Sequence, residues 1–229
     1  MKMTQFIPFS ARDFELMQNV DKGQLPSALQ TKIDALRHEL NQYPEFQLAS
    51  FRNRVVRRPG MIGDREDGLV FGHPRSDSKH WYLYVVGGDQ DQVQLNIGMF
   101  PSHLRVGLGF QIGRQVRPKI PAFHLLQTFL GVRPPLPFRD AFLQTIKKQK
   151  FSIEDRGDPT FGTPEELVEL LETFVVPADE DATFILIGAI WKPKEASEKR
   201  TADFREVFRQ LLPFYEALVL MGGRFAYYD

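Results

Sequence analysis

The chain has 229 residues, with 29 Lys+Arg balanced by 29 Asp+Glu and 42% hydrophobic residues, a composition that suits a fully cored folded domain and excludes wholesale disorder. Cysteine is absent, which excludes disulfides, thiolate metal sites and a cysteine nucleophile and fits a reducing cytoplasm. No apolar run approaches the ~20 residues that span a bilayer, and Met1–Gln5 is not followed by a signal-type segment, so neither a membrane partner nor export is expected.

Ser10 followed by Asp13 reads as a capping box opening a short helix to about Val20. Residues 26–43 carry Leu29, Ile33, Leu36 and Leu40 at helical spacing, with Pro44 as the expected stop. Phe46–Arg58 reads as a strand or strand pair and Leu69–Phe71 as a short strand, separated by a charged loop containing Asp64, Glu66 and Asp67. Three strands with period-2 alternation follow at about 79–86, 92–99 and 104–112. Gly87-Gly88-Asp89 and Pro101-Ser102 supply the turns, and links this short predict an antiparallel meander.

Residues 121–131 and 138–149 read as helices, with Pro134–Pro137 as the place where a single domain over 1–229 would subdivide. Thr163-Pro164-Glu165-Glu166 opens another helix. The apolar run 183–190 predicts a strand covered on both faces. A last helix, about 202–221, is expected to kink or break near Pro213 and to give way to a short aromatic strand, Arg224–Tyr228. The fold class is therefore α+β: a mixed or largely antiparallel sheet with a central three-strand meander, flanked by helices.

The zero net charge hides an asymmetry. Residues 51–150 hold 16 Lys+Arg against 7 Asp+Glu, whereas residues 151–182 hold one basic residue against ten acidic ones. Such a pattern fits either a polyanion-binding face with an acidic flank or two segments that pack together and neutralise each other.

Alternation divides the meander into two faces. One is wholly apolar: Trp81, Leu83 and Val85; Val93, Leu95, Ile97 and Met99; Leu104, Val106, Leu108, Phe110 and Ile112. The other presents His80, Tyr82 and Tyr84; Gln92, Gln94, Asn96 and Gly98; and Arg105, Gly107, Gly109, Gln111 and Gly113. Aromatic rings beside amides, with no carboxylate, are the chemistry of base stacking and base-edge reading. The glycines would let another backbone, a base or a sugar approach closely, or make room for a covering helix. Arg52, Arg54, Arg57, Arg58, Arg75, Lys79, Arg105, Arg114, Arg117 and Lys119 make a plausible footprint for a phosphate backbone, although arginine-rich edges also guard against aggregation.

No phosphate-cradling loop, nucleophile elbow or paired-histidine zinc motif occurs, and the five histidines are scattered, so no catalytic residue, metal or cofactor is assigned. Segments such as Phe71-Gly72-His73-Pro74, His80-Trp81-Tyr82, Gln94–Phe100 and Leu104–Phe110 are similar to DNA-specificity domains of prokaryotic restriction systems. Phe184–Gly188 with the later Leu212–Glu216 resembles the close of N-terminal domains in McrB-type, modification-dependent systems. The resemblance implies a non-enzymatic module for double-stranded, modified DNA in antiviral defence, working with a nuclease or motor subunit or fused domain. It makes Tyr82, Tyr84 and Asn96 pocket candidates, beside His80 and Gln94, with Trp81 joining only if a bulge reorients it. Two rivals stay open: a metal-dependent nuclease or phosphodiesterase using Asp64, Glu66 and Asp67, and an interaction subunit whose acidic segment 154–181 docks a basic partner.

Overall fold

The computed structural model describes residues 5–19, 25–43, 75–76, 81–87, 93–112, 137–155, 158–161, 165, 169 and 183–225. The described helices are α1 (Ala11–Leu16, continued by a 3₁₀ turn Met17–Asn19), α2 (Ser27–Leu40), α3 (Pro137–Gln149), α4 (Pro193–Ala196) and α5 (Thr201–Phe225). The described strands are β1 (Arg75–Ser76), β2 (Trp81–Gly87), β3 (Val93–Met99), β4 (Leu104–Ile112), β5 (Ser152–Asp155), β6 (Asp158–Phe161) and β7 (Thr183–Trp191). These seven form one sheet in the order β1-β2-β3-β4-β7-β5-β6, and every described pairing is antiparallel. The fold is α+β, and the three expected meander strands lie within two residues of their predicted bounds.

The apolar meander face is the floor of the core. Leu95, Ile97, Met99, Leu104, Val106, Leu108 and Phe110 are all fully buried. Over them lies α5, which packs on β2, β3 and β4 and buries Phe204, Val207, Phe208, Leu211, Leu212, Phe214 and Tyr215. Their spacing is that of one helical stripe. Ring packing extends the core sideways: Phe142 of α3 meets Phe214 at 4.8 Å between centroids, and Trp191 of β7 meets Phe204 at 5.1 Å.

The N-terminal helices close the other end. The Ser10 N–H donates to the Asp13 carboxylate at 2.6 Å, forming the expected capping box, and Lys32 of α2 pairs with the same carboxylate. Glu39 of α2 accepts the Phe6 N–H at 2.7 Å through one oxygen and the Thr201 hydroxyl through the other, joining the N-terminal segment, α2 and the start of α5.

Several sequence expectations are corrected. Helix α2 ends at Leu40, where the Asn41 N–H reaches the Arg37 carbonyl, so Pro44 is not its stop. Helix α5 runs unbroken through Pro213. Proline there removes one backbone bond and costs ~3 kcal/mol, but its ring position is exposed. The flanking Leu211, Leu212, Phe214 and Tyr215 are buried, each worth about 1.5–3 kcal/mol, and their sum wins. The same helix covers Gly222–Phe225, so the expected closing strand does not begin at Arg224. Strands β5 and β6 carried no clear alternation and were not foreseen. The expected strands at 46–58 and 69–71 and the helix at 121–131 lie outside the described residues, as does most of the expected helix opening at Thr163, within which Glu165 and Glu169 are helical and exposed.

A buried polar face as the candidate functional site

The second face of the sheet takes its shape from register. Across the strands, Tyr82, Gly98, Arg105 and Ile190 are successive partners in one row, and Tyr84, Asn96, Gly107, Gly188 and Ser152 in the next. Glu154 of β5 pairs with Leu186 of β7, itself paired with Gly109, so this carboxylate belongs to the same face. Leu186 is fully buried yet stands outside the main core cluster, consistent with its opposite orientation.

The described polar side chains around Asn96 and Arg105 are not left open to solvent. Gln94, Asn96, His103, Arg105 and Glu154 are all buried, Asn96 at 1% exposure and Glu154 at 0%. The Asn96 Nδ2 donates to Gln94 Oε1 at 3.0 Å, leaving Asn96 Oδ1 buried without a hydrogen-bond partner among the described residues. An amide acceptor in that state carries a desolvation cost of about 1–3 kcal/mol.

Glu154 is the hub of the charged part. One carboxylate oxygen accepts from the Arg105 Nη1, and the other lies 2.9 Å from His103 Nε2. Burial works to raise this carboxyl, but the His103 hydrogen bond and the Arg105 charge outweigh it and hold Glu154 below the ordinary carboxylate range. An ionised carboxylate only accepts, so His103 Nε2 carries the proton that faces it. The ring of Phe100 stacks on His103 at 4.7 Å, and the Arg105 guanidinium carbon lies 4.8 Å from the Phe100 centroid. Ser102 Oγ lies 2.9 Å from the remaining nitrogen, His103 Nδ1.

The glycines are explained from within the chain. A Cβ at Gly98 would lie 2.6 Å from Arg105 Nε, so Gly98 is the bed on which the arginine lies. A Cβ at Gly107 would lie 2.3 Å from the Ile187 carbonyl oxygen, and one at Gly188 would lie 2.1 Å from that of Val106. The close neighbour at Gly107 is thus another strand, one of the alternatives the sequence allowed, and not a base.

The expected site residues separate accordingly. Gln94 and Asn96 come together as foreseen. Arg105, expected to hold a phosphate, is instead turned inward onto Glu154. Tyr82 and Tyr84 share rows with Arg105 and Asn96, and Trp81 pairs with Met99 in the alternate, core-face register with no bulge at that pair. Arg75 pairs with Tyr82 at the sheet edge. Arg52, Arg54, Arg57, Arg58, Lys79, His80, Arg114, Arg117 and Lys119 lie outside the described residues, as do Asp64, Glu66 and Asp67. His103 and Glu154 were missed: His103 was read only as one of five scattered histidines, and Glu154 only as part of an acidic run. The period-2 step from Arg105 back to His103 was the one available signal.

Among the described residues no group of three or more His, Asp or Glu is arranged to hold a metal, and no helix is long and apolar enough to cross a membrane. The chain matches no protein-family model and no curated protein.

Proposed function

We propose that the protein is a cytoplasmic DNA-recognition module, reading a modified or unstacked base and serving a restriction or defence system with a separate nuclease or motor. The observation that carries this reading is Asn96 Oδ1: a buried amide oxygen with no described partner, in register with Tyr84. Buried polar atoms are nearly always paired, so an orphan that is retained suits a group that pairs only when a ligand arrives. Asn and Gln amides are suited to base edges, and aromatic positions beside them to stacking. The excess of basic residues over 51–150 supplies the phosphate-attracting charge, with Arg105 removed from that set.

Gel shifts on plain, methylated and hydroxymethylated duplexes at several salt concentrations test it. Arg57→Ala with Arg58→Ala should weaken binding to every duplex and flatten the salt dependence by about one to two phosphate contacts. Asn96→Ala should leave the salt slope alone and erase discrimination between duplexes worth ~1–3 kcal/mol. Absence of binding to all three duplexes, or indifference to both changes, refutes the assignment.

A further inference from the structure

Ser102 is the third of the four residues that link β3 to β4, where the Phe100 N–H donates to the His103 carbonyl at 2.8 Å. Its side chain is at the exposed surface, whereas His103 and Glu154 behind it are buried. The hydroxyl is 2.9 Å from His103 Nδ1, and His103 Nε2 is 2.9 Å from Glu154 Oε2. When the ring is singly protonated with its proton on Nε2 toward the carboxylate, Nδ1 offers its lone pair to the serine. Phe100 stacked on the imidazole holds the ring plane, and Arg105 keeps the carboxylate charged.

The geometry points to Ser102 as a nucleophile toward activated esters and phosphonyl electrophiles, with His103 as its general base and Glu154 as the group that positions His103. The two ring nitrogens are exchanged relative to the familiar serine hydrolase arrangement, but the chemistry asks only that one N–H meet a carboxylate and the other nitrogen meet the hydroxyl. In the first step Ser102 Oγ bonds to the ester carbonyl carbon, its proton passes to His103 Nδ1, and the carbonyl π electrons move to oxygen. Collapse of that oxyanion breaks the bond to the alcohol, which leaves with the proton from His103. Water then repeats the sequence, releasing the carboxylic acid and restoring the serine.

This activity is independent of DNA binding and is tested without it. The folded 229-residue chain is exposed to a biotinylated fluorophosphonate, and adducts are located by peptide mapping. One adduct is expected on Ser102, absent in Ser102→Ala, and formed about a hundredfold more slowly in His103→Gln. Circular dichroism establishes whether His103→Gln is folded; if it is not, the wild-type chain unfolded in urea supplies the comparison and should label equally slowly. No adduct on Ser102 in the folded protein overturns the inference. So does a labelling rate that neither the substitution nor unfolding lowers.

Discussion

At Glu154, burial beside a guanidinium and an imidazole makes each partner dependent on the others. Taking Glu154 to Gln removes the buried negative charge that Arg105 and His103 both face, which should cost about 3–5 kcal/mol in urea denaturation. Glycine substitutions on the same face should rank by what the new methyl meets. At Gly107 it meets the backbone of β7, which can move only by parting two strands, so Gly107→Ala should cost about 3 kcal/mol. At Gly98 it meets the Arg105 side chain, which can swing aside at the expense of its contact with Glu154. Gly98→Ala should therefore cost less alone, and its cost should nearly vanish in a Glu154→Gln background, where that contact is already lost. A double-mutant cycle in urea reads both effects; additive costs would show that Arg105 is not the shared element.

Element boundaries show how far local chemistry carries. The meander was legible because twelve alternating apolar positions and two short turns all agreed, and the same alternation named the buried amides. Helix α3 was legible, including its end at Gln149, yet the way the chain leaves it was not. Lys150 takes a left-handed backbone angle, φ 54°, and the Phe151 N–H reaches back to the Ile146 carbonyl at 3.0 Å. This is the glycine-type helix ending with lysine in glycine's place, accompanied by burial of both Phe151 and Ile146. Lys150→Gly should stabilise the protein by ~1 kcal/mol, since the left-handed conformation costs a side-chain-bearing residue about that much. A rise in the urea midpoint with unchanged slope is the expected record. Of the kink or break expected at Pro213, the break does not occur, because the local signal is outweighed by burial that only the tertiary structure reveals. Glu154 was illegible because its partners lie 49 and 51 residues away in sequence, beyond the reach of any periodicity.

Across the whole molecule, the charge asymmetry resolves in part into internal pairing: Arg105 comes from the basic stretch and Glu154 from the acidic one, and their contact ties β5 to the meander. The β5–β6 pair lies at the far end of the sheet, held by β7 and by this buried cluster. Glu154 has a folded pKa below its ordinary value of 4.5, so its stabilisation is complete above about pH 4.5 and disappears as pH falls through the folded value. Glu206 is also depressed, to about 2, chiefly by hydrogen bonds from Arg209 and then Gln210. It is half-exposed on α5, where solvent screens its contribution. Acid should therefore loosen one end of the sheet before the rest. Hydrogen exchange at about pH 6 and pH 3.5, corrected for intrinsic rates, should show protection falling in residues 152–161 while 104–110 and 204–215 keep theirs. In Glu154→Gln the same strands should already exchange faster at the higher pH and change little on acidification, because the titrating group is gone. Equal loss along the whole sheet in the wild-type chain would mean that the cluster does not anchor β5 and β6 separately from the core.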